Sequence, residues 1–408
     1  MYKNLMNQKT TNIIVVVGAA SLILVISIGI RGSFGLYMTP ITNSLQISRE
    51  VFSIAIAIQM LVWGFGQPIF GAIADLYGTA KVIVLGAGLY ACGLTIMGLS
   101  SGPVDLYTGA GALVGLGTSA MGFAIVLAPV VRVVPKNRRS LALGIATAGG
   151  SFGQFSMALL SGWLIETEGW STALFIIAVI TGLAVILAFA LKGKNQQSEK
   201  IQESTNLTET LNQAVRHKSY LLLIAGFFVC GFHVTFVATH LPSYVSDLGL
   251  DEMLGAKAIA LIGLANIAGT LIFGWLGGYY SKKLLLSGLY LFRSIVILCF
   301  VMSPKTELSV LLFAGLIGLL WLGTVPLTSG IVANIFGSKY LGTLFGIVFL
   351  SHQVGSFFGA WIGGKLFHFT SSYDFAWYIS IALGVFAAIV HLPINDKPYN
   401  FVIKSKFS

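Results

Sequence analysis

The chain has 408 residues, of which 56% are hydrophobic and only 9% are charged. A soluble globular protein is nearer a quarter charged, so this balance excludes a set of soluble domains and indicates a membrane protein with many spans. The formal net charge of +10 does not indicate nucleic-acid binding, because the positive residues lie in short loops between apolar runs, as membrane topology requires.

Twelve apolar runs are each long enough to cross about 30 Å of hydrocarbon as a helix that rises 1.5 Å per residue. Their even number predicts that both termini lie on the same side of the membrane. We number the runs 1 to 12 in chain order, near residues 13–39, 51–73, 82–100, 104–131, 140–165, 170–191, 219–246, 257–280, 284–303, 308–335, 340–368 and 374–394.

One long polar segment, residues 192–218, interrupts the apolar pattern. It predicts two six-helix halves, residues 1–191 and 219–394, joined by a cytoplasmic linker and followed by a cytoplasmic tail at 395–408. Part of the linker, near Glu203–Val215, is predicted to form a surface helix. With both termini inside, eighteen of the 24 Lys and Arg residues fall on the cytoplasmic side, which is the bias that sets membrane topology.

The two halves repeat each other in sequence. Run 2 ends Ile-Phe-Gly-Ala-Ile-Ala-Asp75, and run 8 ends Ile-Phe-Gly-Trp-Leu-Gly-Gly278. Four positions of run 1 have counterparts at the same spacing in run 7, and three of them are identical: Gly29, Arg31, Phe34 and Pro40 correspond to Gly231, His233, Phe236 and Pro242. Two similar halves predict an all-α transporter with pseudo-twofold symmetry and a substrate site at the interface, near mid-membrane.

The loop after run 2 reads Gly71-Ala-Ile-Ala-Asp75-Leu-Tyr-Gly78-Thr-Ala-Lys81. This pattern resembles the cytoplasmic signature of the major facilitator superfamily, and the resemblance covers nearly the whole chain. It implies the superfamily fold, twelve transmembrane helices in two pseudo-symmetric bundles, with Asp75 as a latch of the cytoplasmic gate. An ordinary tight turn that needs Gly78 is the alternative interpretation.

Other segments resemble a narrower branch of the superfamily, the bacterial monocarboxylate and oxalate–formate type carriers. These segments are Arg31-Gly-Ser-Phe-Gly in run 1, the helix with Gln59 in run 2, Gly153-Gln-Phe in run 5, and His240-Leu-Pro in run 7. The branch implies a bacterial inner membrane location and exchange or proton-linked movement of small carboxylates. Characterised carriers of this kind place a basic residue in run 8 or 11, whereas this chain offers Asn266 and the pair His352-Gln353.

Arg31 and Arg293 are the two fixed charges deep within apolar runs, and these runs hold no deep Asp or Glu. A guanidinium at that depth costs roughly 2.5–3.5 kcal/mol on insertion scales and cannot shed its proton. Arg31 is therefore predicted to face the central cavity and to hold an anion with its fork of donors. Bonding to backbone carbonyls of a broken helix is the alternative, and it is at least as good an account of Arg293.

Further polar and aromatic residues are candidates for the path of the anion. His233 and His240 share one helical face and offer groups that titrate near neutrality, and each has the alternative of a neutral histidine bonded to a carbonyl. Gln59 and Trp63 recur on one face of run 2, where helix–helix hydrogen bonding is the alternative. The predicted substrate-binding set is Arg31, Phe34, Gln59, Trp63, His233, Phe236, His240, Asn266, His352 and Gln353.

These patterns predict a secondary carrier of small organic anions, coupled to protons or to a counter-anion, acting as a monomer without cofactor or metal. Drug/proton efflux in the same fold is the alternative, but run 4 has no Arg where drug antiporters of the superfamily carry one, and run 5 lacks their Gly-Pro motif. An enzyme requires a nucleophile–base pair or metal ligands, and the deep polar residues show no such spacing. A sensor requires an appended signalling domain.

Overall fold

A computed structural model describes residues 2–135, 139–192, 207–337 and 341–398. Much of the predicted linker, most of the predicted tail and the side chain of Asp75 lie outside the described part. Eleven helical segments in the described residues are long and apolar enough to span a membrane. One of them, Ala142–Leu191, contains two helices that meet at Gly169, where φ is 79°, so the predicted number of twelve membrane helices is confirmed.

The membrane helices are named α1 to α12 in chain order. Helix α1 is Tyr2–Gly32 and continues through Phe34–Tyr37 and Met38–Leu45, while α5 and α6 are the parts of Arg139–Ala188 before and after Gly169. A short linker helix, Leu207–Ala214, lies within the segment predicted to be a surface helix. The other uninterrupted helices are α2 Arg49–Tyr77, α3 Thr79–Gly98, α7 Lys218–Asp247, α8 Glu252–Tyr279, α9 Lys282–Met302, α11 Leu341–Thr370 and α12 Asp374–His391.

Two membrane helices are interrupted near mid-span. Helix α4 consists of Pro103–Leu106, the π-helical turn Tyr107–Leu113, Val114–Ala120 and Phe123–Val133. Helix α10 consists of Glu307–Leu319 and Thr324–Phe336. Breaks at matching places in the two halves agree with the sequence repeat, and each break frees backbone groups that need partners away from water.

Glycines allow the helices of each half to approach closely. In the first half, the backbone of Gly153 on α5 packs directly on Val25 and Gly29 of α1. In the second half, Gly355 on α11 packs on the carbonyl of Phe228 of α7. A Cβ at either glycine would collide with main-chain atoms, so these equivalent pairs hold α1 to α5 and α7 to α11.

The two faces of the molecule differ in how the halves meet. We call the face with the linker and the α2–α3 loop the linker face, and the other the opposite face. At the opposite face Arg49 of α2 forms an ion pair with Asp247 of α7, with Nη2 2.6 Å from Oδ1. Nearby, the hydroxyl of Thr39 donates to that of Ser243 at 3.0 Å. Among the described residues, the hydrogen bonds that join the two halves are found between this face and the middle of the helices. The opposite face is therefore closed.

Candidate functional site

Arg31 lies at the end of the regular part of α1, and its guanidinium faces α2. Its Nη1 donates to the sulfur of Met60 at 3.5 Å, and its Cζ lies 4.9 Å from the ring centroid of Trp63. Its Nε is buried without a hydrogen-bond partner. Sulfur is a weak acceptor, and none of the carboxylates in the described part of the chain forms an ion pair with this cation, so the site has donor capacity for an anion.

The guanidinium contacts Met60 and Trp63 of α2, which in turn contact Gln353 and Phe349 of α11, and we call these five residues the Arg31 cluster. The amide of Gln353 on α11 donates to the carbonyl of Met60 at 3.3 Å, which joins the two halves beside Arg31. The ring of Phe349 meets Trp63 edge to face at 5.7 Å and stacks on His352 at 5.6 Å. The structure thus brings together Arg31, Trp63, His352 and Gln353 of the predicted set at the interface of the halves.

His352 is held by its neighbours on the same helix. Its Nδ1 lies 3.0 Å from Oε1 of Gln353 and 3.5 Å from the hydroxyl of Ser356. The buried ring also lies 5.0 Å from that of Phe227 on α7. The ring of Phe349 contacts both His352 and Trp63. His352 is therefore the histidine of the predicted set that contacts the Arg31 cluster.

The two histidines of α7 face other helices of their own half. Nε2 of His233 lies 2.8 Å from the carbonyl oxygen of Ser380 on α12, and Nε2 of His240 lies 2.8 Å from that of Ala360 on α11. Both side chains are 99% buried. Each histidine therefore has the carbonyl-bonded arrangement that was the alternative interpretation, and neither contacts the Arg31 cluster.

Three further members of the predicted set are packed inside a bundle. Gln59 is fully buried, and its amide donates to the carbonyl of Ala110 in the π-helical turn of α4 at 2.8 Å. Phe34 packs edge to face on Tyr37 at 6.4 Å. Phe236 is buried against Trp377, with ring centroids 4.8 Å apart. These contacts support the bundles near the site.

Asn266 and Arg293 both bind the broken segment of α10. Oδ1 of Asn266 accepts from the amide of Leu322 at 3.0 Å, and its Nδ2 donates to Ser151 of the other half at 2.9 Å. Nε of Arg293 donates to the carbonyl of Leu320 at 2.8 Å, and its Nη2 also donates to that of Trp321. Arg293 thus satisfies the carbonyls that the break frees.

The α2–α3 loop turns at Gly78, whose backbone conformation favours glycine. Gly78 has φ 98°, ends α2 through a bond from its amide to the carbonyl of Ala74 at 2.9 Å, and precedes the first residue of α3. Nη2 of Arg132 donates to the hydroxyl of Thr79 at 3.0 Å, which ties the end of α4 to this loop. Gly71 has open space around its Cα and Lys81 is exposed. The gating role of Gly71, Asp75, Gly78 and Lys81 stays a prediction.

Met60 and Phe349 are the members of the cluster that sequence reasoning missed. Each has an apolar side chain in a long apolar run, where composition gives no sign of a functional contact. Met60 lies three residues before Trp63 and Phe349 lies three before His352, so each shares a helical face with a predicted residue, which is the signal that a helical wheel offers.

Twelve helices in two halves with equivalent breaks, and a cationic group between the halves, define a membrane transporter rather than an enzyme. The chain belongs to the Major Facilitator Superfamily, whose family model matches residues 20–360.

Curated relatives align over most of the chain at low identity. An uncharacterised transporter of this superfamily from Bacillus subtilis, YcxA, is 26% identical and covers 90% of this chain and 91% of its own length. Monocarboxylate transporter 13 of Bos taurus is 24% identical over 86% of this chain and 82% of its own. The oxalate:formate antiporter of Oxalobacter formigenes is 23% identical over 92% of this chain and 90% of its own.

A solved structure has the same fold. It is a bacterial homologue of the human lysosomal transporter Spinster in an inward-facing, unoccupied conformation, and it superposes with a TM-score of 0.77 at 14% identity, covering 93% of this chain and 96% of that one. The predicted superfamily fold is therefore confirmed.

Proposed function

We propose that this protein is a secondary active transporter of small organic anions, monocarboxylates foremost, which it carries by alternating access of its two halves. The observation that carries this proposal is the guanidinium of Arg31, which lies at the interface of the halves with an unpartnered Nε and a thioether as its hydrogen-bond acceptor. A carboxylate supplies the charge and the two acceptor oxygens that this group lacks. The relatives named for monocarboxylates and for oxalate and formate support the same substrate class.

Coupling to protons or to a counter-anion completes the proposed cycle. A proton can travel on the carboxylate itself or on the imidazole of His352, which is next to the Arg31 cluster. His233 and His240 are bonded to carbonyls of α12 and α11, which makes them poorer relays in this conformation. Efflux of cationic drugs remains the alternative, but a cationic drug requires a buried carboxylate, and the Arg31 cluster described here contains none.

Transport into proteoliposomes tests the proposal. Purified protein is reconstituted into vesicles, labelled lactate, pyruvate, formate or oxalate is added outside, and Arg31→Gln is compared with Lys257→Gln, which removes an exposed cation at the opposite face. We expect uptake of at least one acid by the wild type and by Lys257→Gln, and its loss in Arg31→Gln. If Arg31→Gln transports every acid at the wild-type rate, the site assignment is wrong.

We further propose that the linker face is cytoplasmic, in a bacterial inner membrane, with the protein acting as a monomer. The positive-inside bias of the loops supports this orientation. Gly71, Asp75, Gly78 and Lys81 then form the cytoplasmic gate. Fusion of a fluorescent protein or of a periplasmic phosphatase to the C-terminus distinguishes the orientations, because the fluorescent protein is active only if that terminus is inside.

A further inference from the structure

The breaks in α4 and α10 are matched by residues at equivalent positions of the sequence repeat. Trp63 lies eight residues before Gly71 on α2, and Asn266 lies eight residues before Gly274 on α8. The indole of Trp63 reaches the break of α4 at Gly122, while the amide of Asn266 reaches the break of α10 at Leu322. The two residues therefore occupy the same place in the two halves.

The two side chains differ in their hydrogen-bonding capacity. Asn266 has an acceptor oxygen, which takes the hydrogen of the Leu322 amide at 3.0 Å, and Arg293 takes up the freed carbonyls, so the break in α10 is satisfied by the protein itself. An indole has a donor and no acceptor. Trp63 therefore cannot accept from a backbone amide at the break of α4. The indole N–H and the backbone N–H groups at this break are both donors.

The donors at the break of α4 lack a side-chain acceptor in the described part of the chain. The amides of Ile125 and Val126 bond to the carbonyl of Gly122, and those of Phe123 and Ala124, the first two of the helix, receive no side-chain cap because the capping residue is a glycine. Trp63 is 95% buried, and its Nε1 is also without an acceptor. This Nε1 lies 3.5 Å from the position that a Cβ on Gly122 would take, so the indole donor is aimed at the start of the Phe123–Val133 helix.

The helix that begins here adds a favourable field for negative charge. Its eleven residues from Phe123 to Val133 align their peptide dipoles with the positive end at this break. The carbonyls of Thr118 and Ser119 lie 3.1 Å and 3.6 Å from the same Cβ position, but the three donors, which are Nε1 of Trp63 and the amides of Phe123 and Ala124, outnumber them. Arg31 completes the group, because its Cζ is 4.9 Å from the centre of the Trp63 ring.

We propose that the break of α4 is a second oxygen-binding subsite of the transporter, formed by Nε1 of Trp63 and the amides of Phe123 and Ala124. The inference rests on the proposed function, in which Arg31 holds the carboxylate. Trp63 contacts the guanidinium with its ring and the break of α4 with its Nε1, so one small molecule is expected to reach both sets of donors if it carries an acceptor oxygen close to its carboxylate. The substrate class that fits is therefore the 2-oxo acids, 2-hydroxy acids and short dicarboxylates, in preference to plain fatty acids of the same size.

Binding of matched acids to purified protein tests the subsite. Affinities for lactate, pyruvate and oxalate are compared with those for acetate and propionate by thermal shift or calorimetry. We expect the wild type to bind lactate and pyruvate at least tenfold more tightly than propionate, which is the effect of one hydrogen bond in a site that excludes water. Equal affinity of lactate and propionate overturns the inference.

Variants locate the effect at the indole. Trp63→Phe keeps an aromatic ring under Arg31 and removes the N–H, so we expect a loss of about tenfold for lactate, pyruvate and oxalate and little change for acetate and propionate. Trp377→Phe is the matched control, because Trp377 is also buried with an unpartnered Nε1 but lies in the aromatic cluster of α12. Gly122→Ala, where φ is −79°, adds a methyl in the subsite and gives a second, independent variant with the same expected selectivity.

The outcomes separate this inference from the proposed function. If acids bind and need Arg31, but Trp63→Phe and Gly122→Ala lower the affinity for all of them equally or for none, the subsite is wrong and the carrier of organic anions stands. If none of the five acids binds to the wild type, both proposals fall. A selective loss in Trp63→Phe and Gly122→Ala, absent in Trp377→Phe, supports the subsite.

Discussion

Arg31 and Arg293 are chemically the same residue in similarly apolar runs, but their surroundings differ. Arg293 is 99% buried and donates to two main-chain carbonyls at the break of α10. Arg31 keeps some exposure, and its neighbours are a thioether and the face of an indole. One guanidinium therefore stabilises the protein and the other holds a donor fork available at the interface of the halves.

Charge without the fork does not replace Arg31. In Arg31→Lys the ammonium keeps the positive charge but loses bidentate geometry and the flat contact with Trp63. We expect labelled-acid uptake to persist with the KM raised about tenfold, which corresponds to one lost charge-assisted hydrogen bond. Lys257→Arg, at the opposite face, is the control and should leave KM unchanged. Uptake by Arg31→Lys with the wild-type KM would mean that charge alone is recognised.

At the scale of the element, the break in α10 depends on side chains from two other helices. Nε and Nη2 of Arg293 bind the carbonyls of Leu320 and Trp321, and Asn266 binds the amide of Leu322. Buried backbone groups that lose such partners have no water to replace them. The break is thus a stable feature of the second half only while Arg293 and Asn266 are present.

Removing Arg293 should unfold this half more readily. We expect Arg293→Gln to lower the free energy of unfolding by about 2–4 kcal/mol, because buried carbonyls lose charged donors. Thermal unfolding of the detergent-solubilised protein, followed by tryptophan fluorescence, measures the change. Arg31→Gln is the contrasting variant, and its melting temperature should equal or exceed that of the wild type, since it removes a cation that has no carboxylate partner among the described residues. Equal losses in both variants would contradict the separate roles.

Long apolar runs and the sequence repeat predict most elements of this fold. The twelve helices, the linker helix and the equivalence of the two halves follow from hydropathy and from matched glycines. The breaks in α4 and α10 were not predicted, because glycine is frequent in every run and a break depends on which partners satisfy the freed backbone. Asn266 and Arg293 supply those partners from two other helices in the fold.

The candidate site was predictable in part, for a similar reason. A deep arginine without deep acids is visible in the sequence, and it indicates Arg31. His233 and His240 share a helical face, but the sequence does not show that this face meets α11 and α12. The roles of Met60 and Phe349 depend on the register between α2 and α11, which only the packed structure supplies.

At the scale of the whole molecule, a group of contacts around Arg49 joins the two halves at the closed opposite face. Arg49 of α2 pairs with Asp247 of α7, and its Nη1 also donates to the hydroxyl of Tyr373 at 3.3 Å. Its guanidinium lies 4.2 Å from the ring centroid of Phe367 on α11. Ser53 of α2 packs on the backbone of Gly364 below this group. These contacts have to separate before the opposite face can open.

Weakening this group should favour the conformation that opens at the opposite face. We expect Asp247→Asn to raise the rate at which a polar maleimide labels Ser53→Cys from that side severalfold, in a protein whose native cysteines have been replaced. Asp251→Asn is the control, because Asp251 pairs with Lys257 of its own half, 3.3 Å away. Unchanged labelling in Asp247→Asn, or the same increase in Asp251→Asn, would show that the ion pair does not hold this face.

The thioether beside Arg31 has a kinetic consequence for the direction of flux. An occluded carrier that is empty must enclose a guanidinium with no counterion, whereas a loaded carrier encloses a nearly neutral pair, and enclosing a lone charge is costly. We therefore expect the empty return to be slower than the loaded return, so that acid inside a vesicle accelerates entry of labelled acid. The initial rate of labelled-acid entry is measured in vesicles with and without unlabelled acid inside. Equal initial rates would show that the unoccupied carrier reorients as fast as the loaded one.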